Sequence, residues 1–228
     1  MRKTVMATIA AAAMAVGAAP AAAQTYDPAQ QGPNAADFVY GYRTGGVFTA
    51  YQFPADFTPS GCFNSANVSC LLGGPSDTLG AYFASADGQA NTAFLFASDV
   101  TLHPGANGEE AVVAFVAPTT RSYRFAGLFR GVDAAAGDGV SVTSPDGTAA
   151  LAPGGTFAFD FTRTLAAGEL ASFSVGPAGS YLFDTTGLRL NVTAVPEPAA
   201  WALMIVGVGA VGGSLRAARR RRGTPAHA

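Results

Sequence analysis

The sequence has few of the basic residues on which nucleic-acid binding depends. Lysine and arginine together make up 13 of its 228 residues, and the single lysine is Lys3. Between Gln24 and Val195, six arginines stand against 14 acidic residues, which leaves eight excess negative charges. Proteins bind DNA and RNA through concentrated basic surfaces. The composition therefore excludes nucleic acid as an expected partner.

Residues that carry enzymatic chemistry are also scarce. His103 is the only histidine between Gln24 and Val195, and no Gly-x-Ser-x-Gly, His-Glu-x-x-His or phosphate-binding motif accompanies it. A Ser-His-Asp triad is assembled in space, so a secreted hydrolase built on His103 stays open as the third and weakest interpretation. Glu109 and Glu110 are adjacent and would face opposite sides of a strand, which does not suit a glycosidase pair. We expect a non-enzymatic protein with no catalytic residues and no required cofactor.

The chain has only two cysteines, Cys62 and Cys70. Their spacing is not the Cys-x-x-Cys of redox proteins, and no second pair is present to complete a zinc site. In an oxidising compartment, two such cysteines are expected to form a disulfide that closes the loop of residues 63–69.

Long apolar runs occur only near the two ends of the sequence. Residues 1–23 combine a basic start, an apolar stretch and the small residues Ala21 to Ala23, which together are typical of a secretory signal peptide cleaved after Ala23. The second run, residues 199–215, would form a helix of about 25 Å, slightly less than the roughly 30 Å of a bilayer core. We predict that this helix is transmembrane and that Trp201 lies at its outer interface.

Arginines follow the second apolar run and would stay on the cytoplasmic side of the membrane. This basic tail consists of Arg216, Arg219, Arg220, Arg221 and Arg222. The sequence thus predicts an exported protein that is anchored in the inner membrane and faces the periplasm. Residues 223–228 are predicted to be a disordered end.

The segment of residues 195–222 resembles the PEP-CTERM sorting domain of Gram-negative bacteria. The resemblance is carried by Pro196, Glu197, Pro198 and Trp201, the glycine-rich apolar run and the terminal arginines. It implies an exosortase as processing partner, cleavage at the triplet, and a final location at the cell surface or outside the cell. A plain single-pass anchor, with the prolines only marking a strand end and a helix start, is the alternative interpretation.

The central region shows strand periodicity. Residues 24–36 are polar and are predicted to be a flexible lead-in. Residues 37–194 contain about ten to twelve short apolar or alternating runs separated by glycine, proline and aspartate turns, a pattern typical of an all-β sandwich. Two ladders at period two, Phe157/Phe159/Phe161 and Leu188/Leu190/Val192, are predicted to be core from facing strands. Residues 54–77 are predicted to be a long loop clipped by the disulfide.

Two stretches of this region, residues 111–142 and 163–190, resemble the jelly-roll ectodomains that often precede PEP-CTERM signals. Those ectodomains are in turn similar to carbohydrate-binding β-sandwich modules. The features that match are mostly turns and core positions, and they concern the fold far more than a ligand. The resemblance therefore implies a jelly-roll-like sandwich.

Acidic and aromatic side chains supply the remaining binding candidates. Asp133, Asp138 and Asp184 fall on loops that a jelly roll can bring together, and calcium is bound by several loop oxygens at once. An aspartate in a glycine-rich turn more often bonds its own backbone, so turn formation is the competing explanation. Sugar binding would require exposed aromatic rings. The candidate rings are those of Tyr40, Tyr42, Tyr51 and Tyr82.

Taken together, these features predict an exported surface or extracellular-matrix-associated protein with a structural or binding role. Extracellular polysaccharide is the partner that the sorting family implies. The alternative is a carbohydrate-binding β-sandwich module with a structural calcium ion.

Overall fold

The computed structural model describes residues 23–133, 137–196 and 198–222, with helix side chains described over residues 204–216. The predicted signal peptide up to Ala22, Glu197 of the triplet and the predicted disordered end lie outside the described residues. Two compact units are present, and Ala23–Val195 makes up the β-rich one.

The elements of the β-rich unit are, in chain order, β1 (Thr25–Tyr26), α1 (Pro28–Gln31), β2 (Phe38–Thr44), β3 (Val47–Ala50), β4 (Phe57–Thr58), a 3₁₀ turn (Cys62–Asn64), β5 (Val68–Leu72), β6 (Gly80–Ala84), β7 (Gly88–Ala90), β8 (Ala93–Leu95), β9 (Val100–His103), β10 (Glu110–Val116), β11 (Arg121–Gly131), β12 (Val140–Ser144), β13 (Gly147–Leu151), β14 (Thr156–Leu165), β15 (Leu170–Pro177) and β16 (Thr186–Ala194). Outside this unit, the described residues form one helix, α2, over Pro198–Arg222.

The strands form the two main sheets of an all-β sandwich, as predicted. One sheet has eight strands in the order β14-β11-β16-β9-β6-β5-β4, with β1 added to β16. The other has six strands in the order β13-β12-β15-β10-β2-β3, and β7 and β8 form a separate hairpin. All strand pairs among the described residues are antiparallel.

Aromatic side chains from both sheets meet in the core. Phe115 of β10 lies 5.8 Å from Phe125 of β11, measured between ring centroids. Phe173 of β15 lies 5.9 Å from Phe125 and 5.2 Å from Phe159 of β14. Because burial of a phenylalanine contributes about 1.5–3 kcal/mol, these rings account for much of the attraction between the sheets.

The two predicted ladders are not on facing strands. Leu188, Leu190 and Val192 are fully buried, but β14 and β16 belong to the same sheet and flank β11 on either side. Period two correctly assigns these residues to an inward face. It contains no information on which strands oppose each other, because that depends on pairing between distant parts of the chain.

Two segments are more ordered than the sequence suggests. Within residues 24–36, Tyr26 is buried in the core and Asp27 caps α1 through its carboxylate, so the segment is not a flexible lead-in. Within residues 54–77, β5 pairs with β6 along its whole length. Its apolar residues Val68, Cys70 and Leu71 are buried, which outweighs the turn-forming composition around them.

Helix α2 belongs to the other unit. The described part of this helix carries apolar side chains around its circumference. Ile205, Val206, Val208, Val211 and Leu215 are all exposed. Within the part of the chain that the structure describes, we find no helix that is both long and apolar enough to cross a membrane.

A buried ion network ties three neighbouring strands of the larger sheet. The carboxylate of Asp99, next to β9, is fully buried and accepts two hydrogen bonds from Arg130 of β11, at 2.6 and 2.8 Å. Arg189 of β16 donates a third hydrogen bond at 3.3 Å. The guanidinium of Arg130 also lies 3.6 Å from the ring centroid of Phe96. The buried carboxylate therefore depends on both arginines for compensation of its charge.

Replacing Asp99 with asparagine should lower the free energy of unfolding by about 3 kcal/mol, because two arginines lose their shared counter-charge. Urea unfolding followed by circular dichroism measures the change. Asp160→Asn is the matched control, since Asp160 pairs with Arg124 at the surface with its side chain 54% exposed. That control should leave stability unchanged. Equal stability of Asp99→Asn and the wild type would show that the network is energetically neutral.

Candidate functional site

The three aspartates that the sequence selects lie on loops at one end of the sandwich. Asp133 follows β11, Asp138 precedes β12, and Asp184 lies two residues before the start of β16. The charges of Asp133 and Asp138 both act on Asp184 strongly enough to shift its pKa. The β-sandwich therefore brings the three carboxylates into one neighbourhood, which we call the Asp184 cluster.

Asp184 is the unusual member of the cluster. It is 2% exposed, and neither carboxylate oxygen has a hydrogen-bond partner in the described structure. Burial, followed by the charges of Asp138 and Asp133, raises the pKa of Asp184 to about 7. A buried carboxylate without donors is costly, and such groups are rare in folded proteins.

The other two aspartates have hydrogen-bond partners. Asp133 accepts hydrogen bonds from the Thr92 hydroxyl at 2.6 Å and from the Thr185 backbone N–H at 2.7 Å. Asp138 accepts one from the Ser180 backbone N–H at 2.8 Å through Oδ2, and its residue is exposed. Asp133 and Asp138 thus hold segments that are distant in sequence and do not turn their own backbone, whereas Asp184 has no partner in the described structure.

Two main-chain oxygens and one oxygen of the Asp184 carboxylate lie close to Gly137. A Cβ placed on Gly137 would lie 3.0 Å from the Phe183 carbonyl oxygen, 3.1 Å from Asp184 Oδ1 and 3.3 Å from the Leu182 carbonyl oxygen. Phe183 has φ of 64°, a left-handed conformation that is uncommon for a bulky residue and that turns its peptide within the loop. The three oxygens therefore converge where only glycine leaves space between them.

The cluster cannot hold a metal ion by side chains alone. Across residues 23–133, 137–196 and the described part of α2, no three histidine, cysteine, aspartate or glutamate side chains are grouped closely enough to do so. Any cation here would need main-chain oxygens or water in addition to carboxylates, as calcium sites commonly have.

His103 is buried beside the cluster at the end of β9. Its Nδ1 lies 2.8 Å from the Pro104 carbonyl oxygen, and its ring packs edge-on against Tyr181. Burial lowers the pKa of His103, while the Pro104 carbonyl and Asp133 act in the opposite direction. Among the described residues, no serine, threonine or cysteine hydrogen-bonds to the imidazole, so the geometry offers no nucleophile and base pair.

The paired glutamates have separate structural partners. Glu109 is buried and accepts hydrogen bonds from the backbone and side-chain nitrogens of Asn107, at 2.9 and 3.1 Å. Glu110 pairs with Arg43 at 2.8 Å and accepts a hydrogen bond from Ser174 at 2.7 Å.

The disulfide between Cys62 and Cys70 is present, as predicted. It joins the 3₁₀ turn to β5, so it fastens a connection to the edge of the larger sheet. Cys70 is fully buried and packs in a small apolar cluster with Val68 and Tyr82. The two cysteines therefore serve stability and leave no free thiol in the described chain.

Most of the tyrosines considered for sugar stacking belong to the core. Tyr40, Tyr51 and Tyr82 are buried, and their hydroxyls donate to the main-chain carbonyls of Gly32, Leu79 and Thr78. Period-two spacing places aromatic residues on one face without telling whether that face is covered, and here it is.

An open groove elsewhere on the sandwich has an aromatic wall. It has a volume of about 160 Å³, and Asn34, Phe38, Tyr51, Phe53 and Leu71 are among the residues that line it. Phe53 is 43% exposed, and its ring lies 5.1 Å from that of Phe57. The groove could not be predicted from the sequence, because it forms where the segment before β2 meets the connection between β3 and β4.

The sorting residues are only partly described. Pro196 lies just after β16, Pro198 begins α2, and Glu197 lies outside the described residues. The side chains of Trp201, Arg219, Arg220, Arg221 and Arg222 are likewise outside them, whereas that of Arg216 is exposed.

No protein-family model and no curated protein matches the chain. Among solved structures it is similar to a family 35 carbohydrate-binding module from Clostridium thermocellum, with 8% identity and a TM-score of 0.25 over 56% of this chain and 87% of that one. It is also similar to the GH26-CBM35 β-(1,4)-mannanase of Podospora anserina, with 10% identity and a TM-score of 0.28 over 77% of this chain and 28% of that one.

A third similar structure is an isomalto-dextranase of Arthrobacter globiformis T6 in complex with panose. It has 18% identity and a TM-score of 0.23, over 57% of this chain and 21% of that one. At these TM-scores the three likenesses carry no argument about ligand or activity.

The raised pKa of Asp184 predicts a pH-dependent stability. The folded protein keeps the Asp184 proton at pH values where the unfolded chain, with a pKa near 3.8, has lost it. In chelator-treated protein, Asp184 should therefore reduce stability progressively from about pH 4 to about pH 7, with no further change above. Asp184→Asn removes the titration, so its stability relative to the wild type should rise by roughly 2–4 kcal/mol over that range. Urea unfolding at each pH measures the difference, and a constant difference would contradict the prediction.

Proposed function

We propose that the protein is an exported surface or extracellular-matrix-associated protein with a non-enzymatic structural or binding role, sorted through its PEP-CTERM-like C-terminus. Two features support it: the sorting motif in the sequence, and the limits of the fold, which lie between the two predicted processing sites. Extracellular polysaccharide is the proposed partner of the delivered domain, and an exosortase is the proposed processing enzyme.

The observation that carries the proposal is where the hydrogen-bonded fold begins and ends. The backbone N–H of Ala194 donates to Gln24 at 2.9 Å, and that of Val195 donates to Ser122 at 2.9 Å. Gln24 is the first residue after the predicted signal-peptide cleavage, and Val195 is the last before the Pro-Glu-Pro triplet. Cleavage at both predicted sites would therefore leave every strand of the sandwich intact.

The C-terminal helix supports a membrane-directed role before processing. A helix that is apolar around its circumference is stable when it is buried in protein or lipid. Five exposed apolar side chains between Ile205 and Leu215, followed by exposed Arg216, suit contact with lipid beside a basic end, although the described part of the helix is not long and apolar enough to cross a bilayer by itself. The disulfide supports an oxidising destination, because structural disulfides persist outside the cytoplasm.

A second candidate function is carbohydrate binding by the sandwich, favoured by the open aromatic groove. A sugar ring stacks on a partly exposed aromatic side chain and hydrogen-bonds to neighbouring polar groups. Phe53 supplies the ring and Asn34 supplies an amide on the same groove. This candidate is compatible with export, since the groove belongs to the domain that sorting would deliver.

Processing can be tested by the intact mass of the protein from native cells and from a strain lacking exosortase. The native product should begin at Gln24 and end within residues 196–198, whereas the mutant strain should accumulate a longer form with the arginine tail. Glu197→Ala in the native strain should also accumulate the longer form. The same full-length tail in both strains would reject sorting and support a plain anchor.

Glycan binding can be tested by affinity electrophoresis of the full chain in gels that contain soluble polysaccharides. Phe53→Ala should weaken any retardation by about tenfold in Kd, because loss of one stacking contact costs roughly 1.4 kcal/mol. Phe94→Ala is the matched control, as Phe94 is 42% exposed but lies on β8, outside the groove. Absence of retardation, or equal loss in both variants, would reject the groove as a sugar site.

A further inference from the structure

We propose that the Asp184 cluster binds a calcium ion through Asp184, Asp138 and the main-chain carbonyl oxygens of Leu182 and Phe183. The site lies between the loop that precedes β12 and the loop that precedes β16. The calcium site does not depend on the sorting proposal or on the groove near Phe53. None of its residues lies in that groove or in the C-terminal segment of residues 195–222.

Asp184 has no hydrogen-bond partner among the described residues. Both of its oxygens are buried without a hydrogen-bond donor in the described structure. Protonation would remove the charge but would still leave one oxygen without a donor. Turn formation, the ordinary role of a loop aspartate, does not apply, since a turn aspartate accepts a hydrogen bond from nearby backbone. A bound cation satisfies both oxygens at once.

The atoms around the site are of a kind that binds a cation. The nearest groups around Gly137 are oxygens, namely the carbonyls of Leu182 and Phe183 and Oδ1 of Asp184. Neither carbonyl accepts a hydrogen bond from another described residue. Oxygens brought together without donors repel one another, and a hard cation converts that repulsion into coordination.

The other two aspartates have separate roles. Asp138 uses Oδ2 to hold the Ser180 N–H, and its Oδ1 is left to serve as a ligand. Asp133 has both oxygens engaged, by Thr92 and by Thr185, and Thr185 directly follows Asp184. Asp133 is therefore a positioning residue that fixes the backbone next to Asp184 and adds negative charge.

The composition of the site selects the class of metal. Two carboxylates and two main-chain carbonyls, completed by water, form an all-oxygen set of the kind that calcium accepts at coordination numbers of six to eight. Zinc prefers nitrogen and sulfur ligands in a tetrahedral arrangement, and magnesium demands a near-ideal octahedron. With two charged ligands, the expected Kd is on the order of 10⁻⁴–10⁻³ M, as in extracellular calcium modules.

The test uses the full chain, purified in detergent and freed of metal with a chelator. Isothermal titration calorimetry with calcium chloride should show one site, and saturating calcium should raise Tm by about 5–10 °C at a concentration near 100 times Kd. Magnesium chloride at the same concentration should raise Tm much less. Wild-type protein that shows neither heat of binding nor a Tm shift with calcium would overturn the proposal.

Variants separate ligation from a purely structural role. Asp184→Asn should abolish the calcium response while the metal-free protein stays folded, because the amide keeps the shape and removes the uncompensated charge. Asp138→Asn, at an exposed residue, should leave the metal-free protein folded and weaken calcium binding at least tenfold. Asp146→Asn, on the exposed turn between β12 and β13, is the control and should bind calcium as the wild type does. A calcium response that survives both Asp184→Asn and Asp138→Asn would also overturn the proposal.

Discussion

The fold depends on the position of its last strand at the centre of the larger sheet. Along its length, β16 pairs with β11 on one side, and on the other it pairs with β9 near Thr186 and with β1 near Val192. Its inward residues are fully buried. A sheet whose central strand comes last closes only after the whole domain has been synthesised, because contacts distant in sequence form late. Truncation within β16 would therefore remove pairing partners of β11, β9 and β1 together.

The same strand explains which parts of the fold could be predicted from sequence. Strand positions, the all-β class and the inward faces follow from local periodicity, since side chains alternate along every strand. The partner of each strand does not, and the ladders of β14 and β16 were assigned to facing strands although β11 joins them in one sheet. Residues 24–36 look polar and loose, but Tyr26 completes the open part of the β16 edge, a gain that appears only after β16 is in place.

The sequence predicts which aspartates lie at the candidate site, but it does not predict which of them have hydrogen-bond partners. Loop positions identify Asp133, Asp138 and Asp184 as residues that a sandwich can gather. Sequence does not show that Asp133 is committed to Thr92 and Thr185, or that Asp184 is the one left buried without donors. Those differences arise from contacts with distant segments, since Thr92 precedes β8 and Thr185 precedes β16. Tyr40, Tyr51 and Tyr82 are buried and so do not offer their rings to a sugar. The sequence could not show this, because burial of a tyrosine depends on the layer that covers it.

The Asp184 cluster and the ends of the domain act on the same strand. Asp184 lies two residues before β16, and the Thr185 carbonyl accepts a hydrogen bond from the backbone N–H of Val132, just after β11. At the opposite end of β16, Ala194 is held by Gln24. An uncompensated charge at Asp184 would therefore weaken the start of the same strand whose far end is held by Gln24. A bound cation would remove that weakness, because a ligand that binds only the folded state stabilises it.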